Sequence, residues 1–192
     1  MIYNLETLES LIEFNKKFAH AYYKDHGELR PMIIGYTPDN SKRVVILGTF
    51  ENNQEKEFWL QTACIVFALH DVDKYVTMHE AWFVSGEEKD AYKKYESLEQ
   101  HPQKREGLCI MAVNRLGAKM TVSEILSDRS ISTENNMMGV AEGRFAELLP
   151  TRKITTAEKK EIQKIVSIFM KTGIITEELL NGNEDGNGKL DS

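Results

Sequence analysis

Glu80 is the residue of this sequence whose surroundings most suggest chemistry. Residues 75–85 are rich in β-branched and aromatic side chains and predict a strand. Alternation along a strand places Glu80 on one face with Val76, Met78 and Trp82, a face that we expect to lie in the core. A buried carboxylate is costly unless it is paired or hydrogen-bonded. The pattern therefore predicts a functional acid with a raised pKa, an ion pair with an arginine of a neighbouring strand, or a residue at a sheet edge.

Imidazole and carboxylate groups cluster just before and within this strand. His70, Asp71 and Asp73 precede it, and His79 and Glu80 lie on it. These groups are ligands for zinc or for a hard cation, so a metal-assisted hydrolase is one hypothesis. Adjacent strand residues point to opposite faces, so His79 and Glu80 cannot share one metal. The other interpretation is a helix-to-strand turn, with His70 near a helix C-terminus that favours a cation.

The C-terminal residues carry oxygen ligands at calcium-loop spacing. Residues 183–191 resemble the first nine positions of an EF-hand loop, with a glycine at the sixth position. The side-chain ligands at the first, third, fifth and ninth positions are Asn183, Asp185, Asn187 and Asp191. The first position lacks the usual aspartate, and the sequence stops at Ser192, before the bidentate glutamate. We expect weak calcium binding or, alternatively, a flexible acidic tail.

Two short motifs resemble a known pattern. Glu80-Ala81-Trp82, followed by the segment 101–106 (HPQKRE), is similar to uncharacterised bacterial and phage proteins in which an EAW strand precedes an HPxxRE turn and an apolar strand. The resemblance covers residues 75–115 and implies no activity. It does imply that Arg105 or Glu106 lies beside the strand of Glu80. The alternative is a polar turn that leads into a buried strand.

Composition narrows the classes of function. The net charge is −6, but residues 177–192 hold five acidic side chains and one lysine, so the rest of the chain is close to neutral. We therefore expect no broad nucleic-acid-binding face. The sequence contains no phosphate-binding loop, zinc-protease motif, nucleophile elbow or CxxC pair.

The same reasoning predicts where the protein resides. The N-terminus lacks the pattern of a signal peptide, and the longest apolar run, 58–69, is shorter than the roughly 20 residues of a membrane-spanning helix. Cys64 and Cys109 lie in apolar stretches without partner spacing, as is typical of reduced core residues. We expect a cytoplasmic protein that does not contact membranes.

Capping residues and periodicity predict the elements that position these groups. Helices are expected after the N-caps Asn4, Asn52 and Thr155, the last two with a glutamate three residues on. Hairpins are expected over 32–36 with 43–50 and over 107–115 with 118–126, together with the strand 75–85 and a helix over 87–99. In residues 127–150 the apolar side chains show neither the spacing of a helix nor that of a strand.

These elements predict an α+β fold with a mostly antiparallel sheet of about five strands and helices packed on one face. A single domain is expected over residues 1–176, followed by an acidic tail over 177–192. Because no catalytic motif is present, we expect a non-enzymatic binding or regulatory protein of bacterial or phage type, without a cofactor. The methionine content and the tyrosines of segment 87–99 suit contact with a protein partner or a second copy.

Overall fold

Three helices and six strands are present in the computed structural model, which describes residues 5–48, 52–84, 100–140 and 144–171. In chain order they are α1 (Leu8–His26), β1 (Met32–Tyr36), β2 (Arg43–Leu47), α2 (Asn53–Leu69), β3 (Lys74–Phe83), β4 (Arg105–Asn114), β5 (Gly117–Ile125), β6 (Ile131–Val140), a 3-10 turn (Arg144–Ala146) and α3 (Thr156–Lys171). The strands form one sheet in the order β2-β1-β3-β4-β5-β6. The α+β class with a mostly antiparallel sheet is confirmed, with six strands rather than five. A common face for the helices stays a prediction.

Side-chain caps fix where the helices begin. In α2 the backbone N–H of Glu55 donates to the side chain of Asn52 at 2.9 Å, and in α3 Glu158 and Thr155 form the expected capping box. The expected start of α1 was wrong by three residues. Thr7 is its N-cap, because the N–H of Ser10 donates to the Thr7 hydroxyl and the Ser10 side chain accepts from the Thr7 backbone.

Both expected hairpins are present. β1 and β2 pair antiparallel from Met32 with Leu47 to Tyr36 with Arg43. β4 lies between β3 and β5 and is buried on both faces over most of its length, which confirms the expected interior strand. β6 was missed because residues 127–150 have no regular apolar alternation. It pairs antiparallel with β5, with a register shift between Ser123 and Ile125.

The helix α1 buries one face, which comprises Leu11, Ile12, Asn15, Ala19 and Tyr23. Phe18 lies off this face and is 45% exposed. Asn15 tolerates burial because its side-chain amide donates to the carbonyl of Leu11 at 2.8 Å.

The chain divides into two compact units. Unit 1 comprises Met1–Pro31, Val76–Val113 and Gly117–Glu142, and unit 2 comprises Met32–Tyr75, Asn114–Leu116 and Gly143–Ser192. The fully buried side chains of unit 1 include Leu11, Ile12, Met78, Leu108 and Ile110, and those of unit 2 include Ile33, Tyr36, Ile46, Phe67 and Tyr75. The single domain over 1–176 stays a prediction.

Both cysteines are free thiols, as expected. Cys109 is buried in β4, and burial raises its pKa to about 12. Cys64, on α2, is only partly buried, and burial raises the pKa of this thiol too. In the part of the chain that the structure describes, no helix is both long and apolar enough to cross a membrane. The helix expected over 87–99 and the tail 177–192 lie outside the described residues.

Candidate functional site

The face of β3 that carries Glu80 is a core face for only part of its length. Val76 and Met78 are fully buried, as expected. Glu80 is 22% exposed, and Trp82 is 39% exposed. The expectation of a continuous core face was therefore wrong beyond Met78.

The carboxylate of Glu80 is held by the residues that follow α1. Its Oε1 accepts a hydrogen bond from the backbone N–H of Leu29 at 2.5 Å. Its Oε2 lies 3.8 Å from Nη2 of Arg129. The same guanidinium donates from Nη1 to Glu106 at 2.9 Å and from Nη2 to the carbonyl of Gly27 at 2.8 Å. Glu80, Glu106 and Arg129 thus form one ion cluster at the C-terminal end of α1, within unit 1.

The two carboxylates of this cluster compete for one guanidinium. The pKa of Glu80 is raised, chiefly because partial burial disfavours the charged form, and also because Glu106 hydrogen-bonds to it and repels its charge. The Leu29 N–H and the charge of Arg129 oppose this shift without cancelling it. Glu80 therefore takes up a proton more readily than an ordinary glutamate.

The aromatic ring of Tyr23 packs against the guanidinium of Arg129 in the ion cluster. The guanidinium carbon of Arg129 lies 5.3 Å from the centre of its ring, a distance typical of a cation–π contact. The hydroxyl of Tyr23 is buried and finds no hydrogen-bond partner among the described residues. Burial raises its pKa, so this phenol stays protonated.

A tight turn between β5 and β6 supplies Arg129. The N–H of Leu126 donates to Ser130, and the N–H of Arg129 donates back to Leu126, both at 2.8 Å. Arg129 has a φ of 64°, in the left-handed region that a non-glycine residue rarely adopts. Arg129 was not predicted from the sequence, because no spacing relates it to Glu80. The only signal was the turn chemistry of Asp128 and Ser130, whose side chains hydrogen-bond within the turn.

The resemblance implied that Arg105 or Glu106 is beside the strand of Glu80. Both residues lie on β4, which neighbours β3 in the sheet. Glu106 joins Glu80 in the ion cluster. Arg105 pairs with Glu124 at 3.0 Å, and its guanidinium carbon lies 4.9 Å from the ring centre of Phe83, on β3. Adjacent strand residues point to opposite faces, so only one of the two can reach Glu80.

The residues of the expected metal site make contacts of other kinds. His70 is the C-cap of α2, and Asp71, with a φ of 53°, forms an ion pair with Lys159. Burial, followed by the charges of Lys42 and Lys159, lowers the pKa of His70, so these effects outweigh the preference of a helix C-terminus for a cation. Within residues 5–48, 52–84, 100–140 and 144–171 no three His, Cys, Asp or Glu side chains are grouped to hold a metal ion.

Comparison of the chain with protein-family models, with curated proteins and with solved structures found no match. The resemblance to bacterial and phage proteins stays a prediction. The calcium ligands Asn183, Asp185, Asn187 and Asp191 lie outside the described residues, so weak calcium binding also stays a prediction.

Proposed function

We propose that this chain is a non-enzymatic binding or regulatory protein of bacterial or phage type, and that the sheet surface around Trp82 contacts a protein partner. The exposed ring of Trp82 is the observation that supports the proposal. A tryptophan side chain with about two-fifths of its area exposed to water loses on the order of 2 kcal/mol of hydrophobic stabilisation relative to full burial. Tryptophan is also among the residues most enriched at the energetic centres of protein interfaces.

The position of Trp82 explains why the ring is uncovered. Glu80 is covered by Leu29 and by the cluster that joins Arg129 to Gly27, at the end of α1. Trp82 lies two residues further along the same face, roughly 7 Å away at the rise of a β-strand. The ammonium of Lys104 lies 4.5 Å from its ring centre, which makes the patch cationic as well as aromatic.

The ion cluster supports a structural role for the carboxylates. Glu80 and Glu106 both contact groups of the protein itself, namely the Leu29 N–H and the guanidinium of Arg129. A general base would require a carboxylate oxygen within hydrogen-bond reach of a substrate. The metal-assisted hydrolase built on Glu80, His70, Asp71 and Asp73 remains an alternative hypothesis, and no contact among the described residues favours it.

Site-specific photocrosslinking tests the proposal. A benzophenone amino acid at position 82 should crosslink a partner in host lysate, whereas the same group at Leu116 should not. Leu116 is a suitable control because it is 95% exposed at the turn between β4 and β5. A crosslinked second copy of the chain would identify self-association as the mode of contact.

The identified partner is then titrated by calorimetry. Trp82→Ala should weaken its binding at least about tenfold, the cost of losing an aromatic anchor. Equal crosslinking from positions 82 and 116, together with a monomer on a sizing column, would count against the proposal.

A further inference from the structure

A cleft lies within unit 2, and neither Trp82 nor Lys104 lines it. It has a volume of about 200 Å³ and lies between the turn after α2, the β1–β2 turn and the segment that leads into α3. Pro38, Ala68, Val72 and Ile154 give it an apolar lining. Liquid water occupies about 30 Å³ per molecule, and drug-sized pockets start near 300 Å³, so the cleft suits a small metabolite.

Most charged side chains that line the cleft already have partners. Asp71 is paired with Lys159. Arg152 forms a two-point ion pair with Glu158. Arg115 donates to the carbonyl of Pro150 at 3.2 Å, which leaves its remaining N–H groups available.

Asp73 and Lys153 differ from these residues. Both line the cleft, yet neither side chain makes a hydrogen bond or an ion pair within the described part of the chain. Oδ1 of Asp73 is buried without a partner. A buried and uncompensated carboxylate oxygen is costly, and native structures rarely leave one without a reason.

We infer that this cleft binds a small zwitterion of the α-amino-acid type, with its ammonium group at Asp73 and its carboxylate at Lys153 and Arg115. A simple anion would leave Asp73 uncompensated. A lone cation would face Lys153 together with two arginines. A ligand that carries both charges on adjacent carbon atoms satisfies both side chains, and its apolar side chain contacts Val72 and Ile154.

Calorimetry on the full chain with three matched compounds tests both charges. L-valine carries both groups, L-valinamide lacks the carboxylate, and N-acetyl-L-valine lacks the ammonium. At about pH 6.5, valine and valinamide both keep their ammonium group. L-valine should bind at least about tenfold more tightly than either analogue, because each analogue loses one charge-assisted contact. Equal binding of an analogue, or no valine binding at millimolar concentration, would overturn the inference.

Two variants connect the binding to the named residues. Asp73→Asn and Lys153→Gln should each weaken valine binding at least about tenfold. Lys164→Gln removes an exposed lysine of α3 that pairs with Glu161 and does not line the cleft, so it should bind as the wild type does. If Asp73→Asn does not fold, the exposed Lys153→Gln variant still decides the question. Unchanged binding in Lys153→Gln would contradict the inference.

Discussion

At the scale of single residues, Glu80 shows which partners of a side chain a sequence pattern can predict. This acid on an apolar strand face was predicted to be a functional group, a partner of an arginine on a neighbouring strand, or an edge residue, and it lies 3.8 Å from the guanidinium of Arg129 in a turn. The resemblance implied Arg105 or Glu106 as a neighbour of the strand, and Glu106 joins the ion cluster. Arg129 could not be predicted, because its role depends on a left-handed turn between two strands, one of which the sequence did not reveal. Long-range partners of this kind have no local signature.

The raised pKa of Glu80 makes the stability of the fold depend on pH. The pKa of Glu80 is raised in the folded state, so the folded protein holds more protons than the unfolded chain between the ordinary glutamate value and the raised one. Its contribution is therefore fully present below the ordinary value, about 4.3, and is lost as the pH rises through the raised pKa. Glu80→Gln should remove this decline. Denaturant unfolding across the pH range checks it.

Glu158 provides a control, because its contribution to stability changes with pH in the opposite direction to that of Glu80. Arg152 and the cap at Thr155 lower its pKa to about 2, so its stabilisation is present above the ordinary glutamate value and is lost as the pH falls through the lowered one. Glu158→Gln should therefore remove a loss of stability in acid. If Glu80→Gln keeps the wild-type decline at higher pH, Glu80 is not the group that titrates.

At the scale of elements, local chemistry decided what could be predicted. The caps at Asn52 and Thr155 were correct because a cap and its partner are three residues apart. β6 was missed because its strand character depends on pairing with β5. The segment after β6 was equally unreadable, since Tyr75 fixes it from a distant part of the chain.

Tyr75 anchors the 3-10 turn and the residues after it. Its hydroxyl donates to the carbonyl of Phe145 at 2.6 Å and accepts from the N–H of Leu148 at 3.2 Å. Tyr75→Phe leaves both backbone groups unsatisfied and should lower the free energy of unfolding by about 1–3 kcal/mol. Tyr22→Phe is a matched control, because the Tyr22 hydroxyl makes no hydrogen bond within the described residues, and it should change stability little. Equal effects in urea unfolding would contradict the assigned role of Tyr75.

At the scale of the whole molecule, the class of the fold was predicted from the sequence and is confirmed, whereas the function stays a prediction. Alternating apolar residues and capped helices define an α+β protein, because burial and backbone pairing are general. Function depends on particular surfaces, and the two proposed here are an exposed tryptophan and a cleft with two unpaired charges. Neither surface could be read from spacing, because each draws on distant parts of the chain.

The acidic tail predicts a weak response to calcium. The four oxygen-bearing side chains at calcium-loop spacing should bind calcium weakly, and binding to the folded chain should raise the melting temperature. Deleting residues 181–192 should abolish any calcium-dependent shift, and magnesium serves as the control ion. An unchanged shift after the deletion would exclude the tail as the site.

The C-cap of α1 fixes where the backbone groups that hold Glu80 and Arg129 lie. Gly27 has a φ of 75°, and its N–H donates to the carbonyl of Tyr23, so the helix stops there. The non-helical residues that follow present the Gly27 carbonyl to Arg129 and the Leu29 N–H to Glu80. A side chain at position 27 would be strained by the positive φ, so a substitution there should loosen both contacts. The protonation of a carboxylate on the sheet therefore depends on the backbone conformation of a glycine at a helix end.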